Sequence, residues 1–210
     1  MPNKKVLVGE KANRAIHLYT DKMQSGSDVA RTLGVGIQTV YRFLRREGIR
    51  RRDRTEAAHA RFEQAPPSFS LKTRLSISEE NLKFGSCMLY WAEGAKRGRV
   101  VDFANSDPDM CAIFIRFLRE ICHIDETRLR GYIYAHLGQK PRSLMRYWSQ
   151  RLNIPVGQFS KTYIRKHGGR QGAKRPERMV HGLVHIRYSD VKLLRQIHEW
   201  IEEYRNMGRW

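Results

Sequence analysis

Over the first seventy residues, apolar positions recur at helical spacing and never alternate for long. Ile16, Tyr19 and Met23 share one face of a helix over Arg14 to Met23, which Gly26 breaks. Ser27 can cap a short helix from Asp28 to Leu33, with the acid in the first turn where the helix dipole favours it. Gly34-Val35-Gly36 then reads as a tight turn. The next helix, Ile37 to Glu47, buries Ile37, Val40 and Phe43 or Leu44 and stops at Gly48. Ala57 to Gln64 is a further short helical stretch leading into Ala65-Pro66-Pro67-Ser68, where paired prolines forbid a continuing helix.

Beyond the prolines the pattern changes to helices mixed with short alternating runs. Ser78 is placed to start a helix through Leu82, Gly85, Leu89 and Ala92 that ends at Glu93-Gly94. A strand is expected from Arg99 to Ala104, then a helix from Asp109 to about His123 opened by Asp107 and Pro108. Leu129 to Leu137 alternates as a strand and sets Arg128, Arg130, Tyr132, Tyr134 and His136 on one face. Pro141 to Leu152 is helical, Lys161 to Lys166 and Val180 to Tyr188 are strands, and Asp190 to Tyr204 is an amphipathic helix. The expected fold class is α+β. An N-terminal three-helix unit covers residues 1–64, a linker 65–77, and a second domain 78–210 that carries the sheet.

Composition adds a partner. Forty Lys and Arg against 21 Asp and Glu give a net charge of +19, and the isoelectric point is near 10.4. An excess of that size calls for a polyanion. No apolar run reaches the roughly 18 residues that span a bilayer, and the N-terminus does not read as a signal peptide. Nucleic acid is therefore expected, not membrane, with the protein cytoplasmic and associated with the nucleoid. Cys87, Cys111 and Cys122 all lie in apolar helical patterns and form no CxxC pair, so they read as buried free thiols.

Two short helices joined by a Gly-containing turn form a helix-turn-helix arrangement. The run Val29-Ala30-Arg31-Thr32-Leu33-Gly34-Val35, followed by Thr39-Val40-Tyr41-Arg42-Phe43-Leu44, is similar to the helix-turn-helix of resolvase-like and regulator families. In that arrangement the N-terminal residues of the second helix meet base edges in the major groove. Gln38, Thr39 and Arg42 hold those positions; Gln suits adenine and Arg suits guanine. Arg45 and Arg46 follow as phosphate contacts. Arg50, Arg51 and Arg52 form a basic arm for phosphates or an A·T-rich minor groove.

An acid in the last turn of the 78–93 helix is electrostatically ill placed, because the helix dipole is negative there. Something positive is expected opposite Glu93. Ser86-Cys87-Met88-Leu89-Tyr90-Trp91-Ala92-Glu93-Gly94, with the strand and helix after it, resembles the LAGLIDADG motif of homing endonucleases. The resemblance runs from about residue 79 to the C-terminus. It implies a saddle-shaped antiparallel sheet with helices on one face, lying in the major groove of double-stranded DNA. It also implies that two motif helices pack together, each delivering one acid to a shared magnesium site. With one motif per chain the protein would be a homodimer. Gly85, Met88, Leu89 and Ala92 would form the dimer interface, and Glu93 would be the metal ligand and a catalytic residue. Met88 stands where the family has glycine, so its bulk widens or shifts the helix crossing. A basic residue near the scissile phosphate is a family feature, for which Lys161, Lys166 and Lys96 are candidates. Arg130, Tyr132, Tyr134 and Arg165 on strands, and Arg170, Lys174 and Arg175 in the glycine-rich loop, would meet the DNA.

His181 and His185 are four residues apart but in a strand, where that spacing spans about 13 Å and no single ion reaches both. Two functional readings remain. One is a metal-dependent endonuclease; the other is a non-cleaving DNA-binding regulator built on the same fold.

Overall fold

The computed structural model describes residues 7–165 and 179–207, and the chain divides into two compact units, Met1–Pro66 and Pro67–Trp210. Lys166, Arg170, Lys174 and Arg175 lie outside the described residues, as does the side chain of Arg165.

Among the described residues the first unit contains four helices, the fourth over the stretch that the sequence predicts as a short helix leading into the linker. They are α1 (Glu10–Thr20), α2 (Gly26–Leu33), α3 (Ile37–Arg46) and α4 (Arg54–Gln64). Ser25, not Ser27, caps α2 by accepting a bond from the Asp28 N–H. Gly34 ends α2 with φ of 64°, a left-handed turn that glycine adopts without strain. Asp53 opens α4 through a reciprocal capping box with Glu56, which is why the helix starts three residues earlier than the apolar pattern indicated. Leu7, Ala15, Tyr19, Val29, Ala30, Leu33, Val40, Phe43 and Leu44 form its core.

The second unit runs α5 (Ile77–Glu93), β1 (Val101–Asn105), α6 (Pro108–Glu120), β2 (Leu129–His136), α7 (Pro141–Leu152), β3 (Tyr163–Arg165), β4 (Leu183–Tyr188) and α8 (Val191–Met207). Ser76, two residues before the expected cap, opens α5 through a capping box with Glu79. The strand order is β1-β4-β2-β3. β4 runs antiparallel to both its neighbours, β1 and β2. β3 pairs with β2 in parallel, so the expected all-antiparallel sheet is in fact mixed. The cause is α7. A helix between β2 and β3 carries the chain back to the starting edge, and the next strand then runs in the same direction.

Alternation along the strands decides what each face does. Val101, Phe103, Leu129, Ile133, Ala135, Val184, Ile186 and Tyr188 turn into a core shared with α5, α6, α7 and α8. Phe103, Phe114 and Phe117 are fully buried there, each stabilising by about 1.5–3 kcal/mol. The Trp148 indole is also fully buried and donates to the His181 carbonyl at 2.7 Å, satisfying its one polar atom. Burial holds the Cys87 and Cys111 thiols up at about 12, as expected of inert core cysteines.

Residues 68–76, placed in the linker by the sequence, are tied to the second unit. The Ser70 and Lys72 N–H groups bond to the Cys122 and Ile121 carbonyls. Ser68 donates its N–H and Oγ to Asp190 Oδ2 at 2.9 and 2.7 Å. Asp190 Oδ1 meanwhile accepts from the Lys192 and Leu193 N–H groups at the start of α8. One carboxylate thus joins the entering chain to the last helix. Asp190→Ala should therefore lower the unit's stability by about 1–3 kcal/mol, read as the urea midpoint. An unchanged midpoint would show that Asp190 is dispensable.

Candidate nucleic-acid interface and motif acid

Three regions carry the candidate chemistry. The first is α3. Gln38, Arg42 and Arg45 are exposed and make no side-chain bond among the described residues, while Thr39 is half-buried. Val40, Phe43 and Leu44 hold the opposite side of the helix in the core, which fixes these groups on the outer face. Arg46 pairs with Glu47 and lies 5.3 Å from the centre of the Phe43 ring. Arg50 pairs with Glu56, and Arg51 sits 4.5 Å over the Tyr41 ring.

Arg52 is different, and its expected place in a DNA-contacting arm is corrected. Its guanidinium donates to the carbonyls of Met23 (3.2 Å), Gln24 (2.9 Å) and Tyr19, and stacks 4.1 Å over the Tyr19 ring. Its own N–H donates to the Tyr19 hydroxyl at 3.0 Å. These carbonyls close the end of α1, where they have no helical partner. A run of arginines looks uniform in sequence; only the fold shows which one turns inward.

The second region is the end of α5. Tyr90 stacks on Phe114 at 5.7 Å, and Phe114 on Phe103 of β1 at 4.5 Å, locking the last turn onto the sheet. Gly94 then bridges to Phe103, and the Ala95 N–H donates to the Asp102 carbonyl at 2.9 Å. Gly94 has ordinary extended dihedrals, so its need for glycine is spatial. A Cβ there would lie 2.5 Å from the Tyr90 carbonyl oxygen. Glu93 is exposed beside this seat, and its carboxylate has no bond or ion pair among the described residues. Lys96, a candidate for the basic residue near the scissile phosphate, donates its ammonium to the Trp91 carbonyl at the end of the helix.

On the side of α5 away from Glu93 by helical spacing, the helix carries exposed apolar residues. Ile77, Phe84 and Trp91, spaced seven residues apart, are 84%, 49% and 48% exposed. Gly85, Met88 and Ala92 lie on the same side by helical spacing, and a Cβ at Gly85 would meet nothing within 4 Å. Leu89 is half-buried. α8 borders this face, since Phe84 meets the Tyr204 ring edge-on at 5.0 Å and the Arg205 guanidinium stands 5.6 Å over the Trp91 ring.

The third region is the sheet face opposite the helices. β2 sets Arg130, Tyr132, Tyr134 and His136 there, as its alternation predicted. Arg130 is exposed and donates to the Thr127 and Leu129 carbonyls. Sequence reasoning missed the centre of this face. Asp102 of β1 accepts from His185 Nδ1 and Arg187 Nε of β4, each at 2.7 Å. The polar positions of Val184-His185-Ile186-Arg187-Tyr188 carried that signal by alternating with core residues. Burial pushes the Asp102 carboxyl up, but the His185 hydrogen bond and the charges of His185 and Arg187 outweigh it and leave the group below its usual value. Lys161 is exposed next to β3 without a bonded partner among the described residues.

Among the described residues no three His, Cys, Asp or Glu side chains gather as a metal site. None of their helices is long and apolar enough to cross a membrane. No protein-family model matches the chain, and no curated protein or solved structure matches it significantly.

Two outcomes follow. Arg52→Ala should destabilise the first unit by about 1–3 kcal/mol, whereas Arg42→Ala should stay within about 0.5 kcal/mol. Equal melting shifts would contradict the difference. Because the folded Asp102 pKa is depressed, its contribution is complete above the unfolded value of about 3.9 and is lost as pH falls through the folded value. The stability gap between wild type and Asp102→Asn should thus be widest near neutral pH and shrink below about pH 4. A gap that does not vary with pH would refute the assignment.

Proposed function

We propose that the chain is a sequence-specific double-stranded DNA endonuclease of the LAGLIDADG homing type. In this reading it acts as a homodimer, holds magnesium with Glu93 and its symmetry mate, and carries an N-terminal resolvase-like helix-turn-helix. The observation that carries the proposal is the motif helix α5, which ends on an exposed, unpartnered acid and shows exposed apolar residues on another side. An exposed apolar helix face of this extent calls for a partner. A second copy paired about a two-fold axis beside the end of α5 would bring two Glu93 side chains together. Gly85 and Ala92 are small enough to admit the second helix, and Met88 is flexible enough to adapt.

Two acids alone would repel each other, so the paired carboxylates fit a divalent cation. Magnesium bound there would activate water and stabilise the leaving oxygen of a phosphodiester. The protein's own groups bind and orient the duplex. Gln38, Thr39 and Arg42 read base edges from the start of α3, and Arg45 and Arg46 hold phosphate. The saddle form of the sheet belongs to the same proposal. Arg130, Tyr132, Tyr134 and Lys161 supply basic and polar contacts along it. The net charge of +19 supports a polyanionic partner for both units.

The second reading, a regulator that binds without cutting, is favoured by one observation. Met88 sits in the face where the closest helix contact would form, and its bulk would separate the two acids.

Glu93→Gln should abolish magnesium-dependent cleavage while binding is kept or improved. Lost binding by a folded variant would count against the metal role, and cleavage that persists would remove it. Arg42→Ala should relax specificity at one position of each half-site, costing roughly 1–3 kcal/mol on the preferred sequence. Equal weakening across all sequences would make Arg42 a phosphate contact instead.

A further inference from the structure

The open sheet face carries more aromatic surface than duplex contact requires. Tyr132 and Tyr134 of β2 meet at 5.1 Å between ring centres, and Tyr134 meets Tyr163 of the edge strand β3 at 5.2 Å. His185 of β4 lies 5.0 Å from Tyr134 and 6.0 Å from Tyr132. The Arg187 guanidinium stands 5.0 Å over the Tyr132 ring. Four rings and one guanidinium thus form a continuous patch across three adjacent strands. Tyr163 is 51% exposed at its edge. Next to it a cleft of about 570 Å³ is lined by Tyr132, Lys161, Thr162 and Tyr163, among others. Thr162 is 9% exposed, and its hydroxyl has no partner among the described residues.

We infer that this patch is a stacking platform for unpaired nucleotides, with the cleft beside Tyr163 receiving one base. In a duplex both faces of each base are covered by its neighbours, so a row of rings finds only backbone to touch. An unpaired base has a free π-face, and aromatic side chains on an open four-stranded sheet stack such bases. The charges complete the fit. Lys161 and Arg187 flank the rings and can meet the phosphates that link stacked bases. Asp102 fixes His185 through Nδ1 and Arg187 through Nε, so both present a set orientation to the strand. The inference rests on the reading of this face as a nucleic-acid surface and does not depend on cleavage at Glu93. It narrows the preferred substrate to one with an unpaired stretch.

The test uses the full chain and fluorescence anisotropy with four probes. These are an oligothymidylate of roughly 12 nucleotides, the matching oligouridylate, an abasic strand of equal length, and a duplex of equal length. The thymidylate should bind roughly tenfold more tightly than the abasic strand. Tyr134→Ala and Tyr163→Ala should each cost roughly tenfold on the thymidylate. Tyr134→Phe and Tyr163→Phe should keep wild-type affinity, and duplex binding should be unchanged in both Tyr163 variants. Equal or tighter uridylate binding would extend the ligand to RNA; weaker binding would restrict it to DNA. Both results support the platform. An abasic strand that binds as well as thymidylate would overturn it, since charge alone would then suffice. So would alanine variants that lose only melting temperature. A protein that never cuts yet shows the tyrosine pattern would refute the nuclease reading and leave this one standing.

Discussion

The close seat of Gly94 against Tyr90 is the constraint on which the second unit's arrangement depends. A helix that ends on a sheet must bring backbone to backbone, and a side chain at position 94 would collide with the Tyr90 carbonyl. With glycine there, the chain leaves α5 directly into pairing with Phe103, and the stack of Tyr90, Phe114 and Phe103 fixes the helix end. Glu93 is thereby held at the rim of the sheet, one residue from the strand that carries Asp102. The acid lies between Tyr90, which is committed to the core, and Gly94, which is committed to pairing.

The same architecture sorts the charges. Asp190 and Arg52 look like surface groups in the sequence, yet both close backbone ends: one joins residue 68 to α8, the other caps α1. Asp102 neutralises part of a basic sheet face while ordering His185 and Arg187. Gln38, Arg42, Arg45 and Lys161 are exposed and carry no internal duty among the described residues, which is consistent with the nucleic-acid partner we propose.

Much of the architecture was legible because periodicity reports local structure. The α7 boundaries at Pro141 and Leu152 follow from the proline start and the apolar spacing, and β2 follows from strict alternation. Helix starts were less accurate at Ser25, Asp53 and Ser76, where a capping side chain sets the boundary ahead of the apolar run. The direction of β3 could not be read, since alternation is the same in parallel and antiparallel pairs. Asp102, His185 and Arg187 were invisible as a group because they lie 83 and 85 residues apart and meet only through the β1–β4 register. Glu93 could be read from the resemblance of its motif, whereas the partial exposure of Ile77, Phe84 and Trp91 needed the packed core to reveal it.

The central claim is a two-fold assembly that pairs the motif acids over a duplex. The most direct measurement selects bound duplexes from a random library with calcium present and then supplies magnesium to the recovered pool. A palindromic or pseudo-palindromic core, cut with a fixed stagger about its centre, is the expected result. An asymmetric consensus that stays intact in magnesium would contradict both the pairing and the chemistry.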